Sequence, residues 1–192
     1  MSAALPPGYQ PWIRRACSTP LPDGEARATC SSCVMASEPA SSPVPTFDPE
    51  FNCCTYVPVL PNHSVGRILA EPVTHLGRQS VVDRIHRWEA VTPLGLDWPH
   101  DVGELYEDKD VGFGMDRRLR CPHHQTTDEG GRCGIWAHRN ATCATWFCRH
   151  ERGETGRAVW MAIRDLLTAI DRTLTWFAVD ELGISDERRE LL

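Results

Sequence analysis

Nine cysteines stand at positions 17, 30, 33, 53, 54, 121, 133, 143 and 148, and eight of them fall into two sets. The first set is "CSSC" (Cys30, Cys33) with the adjacent pair of "FNCCTY" (Cys53, Cys54). The second is Cys121, Cys133, Cys143 and Cys148, the last three inside "RCGIWAHRNATCATWFCRH". Thiolates are soft ligands, and a four-thiolate site drawn from separate chain segments is the arrangement of a structural zinc site or an iron–sulfur cluster. The pattern predicts Cys30, Cys33, Cys53, Cys54, Cys121, Cys133, Cys143 and Cys148 as the ligand set, with Cys17 in reserve. Neighbouring side chains of an extended segment point to opposite sides, so Cys53 and Cys54 suit two centres better than one. Arg117, Arg118 and Arg120 before Cys121, and Arg149 and Arg152 after Cys148, are expected to offset the thiolate charge, lower the thiol pKa values and donate hydrogen bonds to sulfur.

Other chemistries compete for the same residues. His123, His124 and His150 flank the cysteines and are able to replace a thiolate, against their ordinary role as hydrogen-bonded or exposed side chains. "CSSC" alone matches a redox pair, which needs a strand before it; "TPLPDGEARAT" has no strand pattern. A radical S-adenosylmethionine enzyme needs C-x3-C-x2-C, and Ala26 occupies the place of its first cysteine. "GFGMDR" lacks the third glycine of a nucleotide fingerprint. Asp97, His100 and Asp101 read as a polar turn rather than an acid–base group. Trp136, Trp146 and Phe147 are expected to shield a centre from water, since water exclusion tunes a cluster's potential.

The segment from Cys133 to Cys148, with Ile135, Trp136, Arg139 and Cys143 between, resembles the Cys-x-Ile-aromatic-x-x-Arg-x-x-x-Cys signature of the YkgJ-type cysteine-cluster family. Cys121 resembles the family's preceding ligand, and Cys30, Cys33, Cys53 and Cys54 its N-terminal set, so the likeness spans roughly residues 30 to 150. The family proline after the arginine is Asn140 here, and the gap between Cys33 and Cys53 is longer than the compact family form. The resemblance implies a zinc- or iron-chelating domain. Through the related flagellin lysine N-methylase, it also raises methyl transfer and S-adenosylmethionine.

The chain has 192 residues and a formal net charge of -6, with a pI near 5.7. That acidity argues against life on a nucleic-acid backbone, which needs a basic face. No apolar run is long enough to span a bilayer, and the first residues lack a basic leader followed by an apolar stretch, so the expected setting is cytoplasmic. In a reducing compartment closely spaced thiols favour metal over disulfide. A protein partner or protein substrate is expected, of unknown identity, and no nucleic acid.

Eleven of the fifteen prolines lie in the first 61 residues, so residues 1–29 read as a Pro-rich irregular segment and the chain stays mostly extended to about residue 50. Residues 30–192 read as one cysteine-cluster domain. A short helix is predicted after Asn62, and a second in "RQSVVDRIHRWEAV" with Val81, Ile85 and Trp88 in one stripe. The segment from Thr92 to Gly114 reads as a loop. A long amphipathic helix is predicted over 157–182, with Val159, Ile163, Leu166, Ile170, Leu174 and Phe177 as its apolar stripe and Gly183 as its C-terminal cap. A last short helix is predicted over 186–191. The expected fold is α+β, mainly helical with long irregular loops, small, cysteine-rich and organised by metal. Its expected function is to hold an iron–sulfur cluster, or zinc or iron, in a redox or methyl-transfer role. The alternative is a structural zinc-binding interaction module without catalysis.

Overall fold

The computed structural model describes residues 5–19, 21, 33, 35–36, 47–128 and 130–185. Cys30 and the helix predicted over 186–191 lie outside them. The described elements run α1 (Gln10–Ala16), β1 (Leu60–Pro61), α2 (Asn62–Leu69), α3 (Leu76–His86), β2 (Val91–Thr92), β3 (Gly95–Leu96), α4 (His100–Glu107), β4 (His124–Thr127), β5 (Gly130–Cys133), α5 (Ala141–Thr145) and α6 (Gly153–Glu181). The α+β, mainly helical expectation holds. No helix of the described residues is long and apolar enough to cross a membrane.

The spine is α6, whose 29 residues span about 43 Å at 1.5 Å per residue. It starts four residues before the predicted point, and Gly183 follows it with φ 64°, the left-handed conformation that a glycine cap adopts without steric cost. Its buried face is Gly156, Trp160, Ile163, Leu167, Asp171, Thr175 and Val179. The face is therefore turned from the predicted stripe: Val159 and Phe177 are exposed, and two polar residues lie inward. Asp171 tolerates burial because Tyr9 donates its hydroxyl to Oδ2 at 2.7 Å.

Tyr9 also corrects the reading of the N-terminus. Residues 10–16 are helical, with Pro11 in the first turn, where its missing N–H costs no intrahelical bond. Leu5, Tyr9 and Ile13 share a core with Ala141, Ala144 and Phe147 of the α5 region and Trp160, Ile163 and Leu167 of α6. Cys17 packs against this same core.

A second core joins Leu60, Ile68, Val81, Leu96 and Ile135. It sits under a three-stranded antiparallel sheet of order β1-β3-β2, with Leu60 opposite Leu96 and Val91 opposite Leu96. Gly95 fits there because its φ is 135° and a Cβ would stand 2.0 Å from the Leu60 carbonyl oxygen. The segment read as a loop thus holds two strands and α4. Trp88, predicted to continue the α3 stripe, stands beyond the helix with φ 53° and is 81% exposed. Val57, Val102 and Leu119 form a third small core.

Candidate metal centre

The turn over residues 121–124 anchors the site. The His124 amide donates to the Cys121 carbonyl at 3.0 Å. The Cys121 sulfur accepts from the backbone N–H groups of His123 and His124. Amide donors aimed at a sulfur stabilise the thiolate and hold it in place for a metal. The Cys121 amide donates to the Cys54 carbonyl at 2.7 Å, which ties the 53–54 turn to this one.

From the turn the chain enters the β4–β5 hairpin, where Cys133 lies opposite His124. Gly134 then donates to the His123 carbonyl at 2.8 Å. Cys143 is set by Asn140, whose Oδ1 accepts from the Cys143 amide at 2.9 Å as the N-cap of α5. Its Nδ2 donates to the Val59 carbonyl at 3.2 Å. Asn140 thus caps one helix and holds another segment with the same side chain.

Burial first, and then Cys133, push the Cys121 thiol up to about 12; the two amide donors and Arg84 pull the other way. Cys143 is driven well above the usual thiol range by burial, then Cys121, Cys133 and Cys53, with Arg139 opposing. Cys148 is an exposed residue whose thiol is still raised, by desolvation at the sulfur and by Cys53 and Cys33, against a hydrogen bond from Trp146. Cys53 thus acts on both Cys143 and Cys148. Cys121 responds to Cys133, Cys143 to Cys121, Cys133 and Cys53, and Cys148 to Cys53 and Cys33, while the Cys54 carbonyl is bonded to the Cys121 amide. Cys30 lies outside the described residues.

No disulfide forms among the described cysteines. Among the described residues, no three His, Cys, Asp or Glu side chains converge closely enough to hold one ion. The donor type is that of a soft-metal ligand: thiolate sulfur, with amide donors behind Cys121.

Charge acting on the thiols comes also from two residues outside the predicted set. Arg117 bonds to Glu50, Arg118 to Asp116, and Arg120 to Glu50, His124 and Thr126. Arg149 and Arg152 are exposed. The cations that pull on the thiols are Arg84 and Arg139. Arg139 is buried, stacks over Trp136 at 3.5 Å and donates to the carbonyls of Trp136 (3.1 Å) and Cys143 (3.2 Å). Arg84 is fully buried; Nη2 donates to the Asp97 carbonyl at 2.6 Å, while Nε and Nη1 have no hydrogen-bond partner. On sequence Arg84 is one polar residue of an amphipathic helix, with nothing to mark its burial.

The histidines divide. His123 is fully buried; Ser80 donates to the Gly77 carbonyl and so accepts from His123 Nδ1 at 2.8 Å, which leaves Nε2 as a lone pair without a partner. Burial and then Arg84 push its pKa down to about 3. His124 Nδ1 accepts from Arg120 and is occupied. His150 is half-buried against Phe147 at 5.9 Å. Of the predicted shielding aromatics, Phe147 is buried against Trp160 at 4.6 Å, whereas Trp136 and Trp146 are partly exposed. His100 pairs with Glu104 at 3.6 Å on the surface.

Comparison with family models, curated proteins and solved structures finds no match.

Proposed function

We propose that this protein binds a soft metal through its cysteines, as an iron–sulfur cluster or as zinc or iron, with Cys33, Cys53, Cys54, Cys121, Cys133, Cys143 and Cys148 in the ligand set and Cys30 completing it. The observation that carries this reading is that thiols from distant segments act on one sulfur: Cys121, Cys133 and Cys53 all raise Cys143. Such accumulation of like charge is unfavourable without a cation and is expected where one belongs. The N–H donors at Cys121 and the buried Arg84 and Arg139 support it, because a four-thiolate centre retains net negative charge. The Cys17 thiol, packed in the α1–α6 core, stays outside the set.

The bound group supplies either electron transfer or a structural crosslink. The chain's own residues shape the sulfurs, limit water through Phe147 and Ile135, and balance the charge. Methyl transfer would be a role of the same protein and needs S-adenosylmethionine binding. Metal and acid-labile sulfide content with a visible spectrum, measured on protein purified without oxygen, tests the reading. Iron with sulfide supports a cluster, and stoichiometric zinc supports a structural site. Folded protein with neither, unable to take up either metal, contradicts the proposal.

A further inference from the structure

A second polar cluster lies on the other side of Arg139. A cleft of about 70 Å³ is lined by Gly8 and Tyr9 of the N-terminal segment, His63 and Arg67 of α2, and His138 and Arg139 of the turn before α5, among others. A molecule of liquid water occupies about 30 Å³, so the cleft suits one small functional group rather than a whole cofactor.

Its charge is unusual for this molecule. The chain carries 26 acidic against 20 Lys and Arg side chains, yet the residues lining the cleft include two arginines and two histidines and no carboxylate. The carboxylates nearby are engaged with cleft side chains without lining it themselves. Asp171 accepts from Tyr9 at 2.7 Å and faces His63 Nε2 at 3.5 Å; Glu71 meets His138 Nε2 at 2.8 Å. Glu71 therefore holds the His138 imidazole in position.

Arg67 has no hydrogen bond or ion pair with any described residue. Its guanidinium lies against Gly8, where a Cβ would stand 2.1 Å from Nη1. The absence of a side chain at position 8 is thus what gives the guanidinium its place at the cleft. Arg139 also lines the cleft, and the same side chain donates to the Cys143 carbonyl.

We infer that this cleft binds a small oxyanion, the carboxylate or phosphate group of a ligand, between Arg67 and Arg139. Guanidinium groups match such oxygens with paired, charge-assisted hydrogen bonds. The shared wall at Arg139 places the anion next to the cysteine segment, so a ligand anchored here lies beside the proposed centre. Anion binding itself does not depend on the metal.

The test is an amide chemical-shift titration of the full-length protein with inorganic phosphate, and separately with acetate, at constant ionic strength held with chloride. Saturable shifts at Gly8, Ser64 and Arg67 are expected with at least one probe. Phosphate alone assigns a phosphate group, acetate alone a carboxylate, and both assign a general oxyanion site. Arg67→Met should weaken binding about tenfold, the order expected for one lost charge-assisted contact. Gly8→Ala keeps every charge but displaces the guanidinium, and should weaken binding too. Arg172→Met, at an exposed position outside the cleft, should not. Absence of saturable shifts with both probes overturns the inference, as does equal affinity in wild type, Arg67→Met and Gly8→Ala.

Discussion

Arg84 has its guanidinium inside the protein, with Nε 3.9 Å from a Glu89 carboxylate oxygen and Nη1 without a hydrogen-bond partner, and a buried cation is unfavourable unless negative charge lies near it. Glu89 is the first source of that charge and Cys121 the second, and the pull between Arg84 and Cys121 is felt on both groups. Replacing Arg84 by methionine removes the cation while filling much of its volume. Metal affinity should then fall by about 10–100-fold, as for other residues that support ligands from behind, measured by competition with a chromophoric chelator. The metal-free protein should keep its fold, since an apolar side chain there needs no charge partner. His123 gives a separate test of burial. Its folded-state pKa of about 3 lies below the ordinary histidine value of 6.5, so the unfolded chain binds the extra proton first. Its contribution to stability is complete above about pH 6.5 and is lost as pH falls toward 3. Thermal melts of metal-free protein across that range should show a falling Tm, with a smaller fall in His123→Gln. At this scale the sequence revealed the cysteines by type and spacing. It marked His123 as a histidine beside a cysteine but not its burial, and it did not mark Arg84 at all; both are buried by neighbours distant in the chain.

Elements place these residues, and their caps and faces are where the chain specifies the site. Asn140 joins α5 to the strand region through two hydrogen bonds. Asn140→Ala should cost about 0.5–2 kcal/mol in a denaturant melt from the lost cap, and Cys143 should become more accessible to thiol reagents. Along α6, helical spacing revealed that an amphipathic helix is present but not which face turns inward. Asp171 looks polar in the sequence and points to solvent by that rule; it is buried because Tyr9, 162 positions away, donates to it. Tyr9→Phe leaves Asp171 with less support and should cost about 1.5–3 kcal/mol, the range for a hydrogen bond to a charged group. An effect below a few tenths of a kcal/mol would mean that the pair does not secure α1 to α6. The short strands were illegible for a related reason: two-residue ladders are too brief to show alternation, and the pairing of Leu60–Pro61 with β3 exists because Gly95 lets those backbones approach.

At the scale of the whole molecule, three small cores surround a cysteine-rich region that has few aliphatic residues of its own. The proposed ligands come from the 53–54 turn, the β4–β5 hairpin and the α5 segment, so a metal shared by them would link elements far apart in sequence. Chelation should therefore lower Tm and loosen the 53–54 and 121–124 turns first in hydrogen exchange, while the α1–α5–α6 core keeps its protection longest. The mainly helical class was legible from composition and periodicity. The packing of the Pro-rich N-terminus into the α6 core was not, because proline density signals irregular chain and says nothing about what Leu5 and Ile13 bury against.

The central claim is that these cysteines, and not thiols in general, hold metal. Its most direct test is metal content per chain in wild type, Cys121→Ser and Cys17→Ser, all purified without oxygen. The account predicts stoichiometric iron or zinc in wild type and in Cys17→Ser, with a clear loss in Cys121→Ser. Full metal content in Cys121→Ser, or loss in both variants alike, would contradict it.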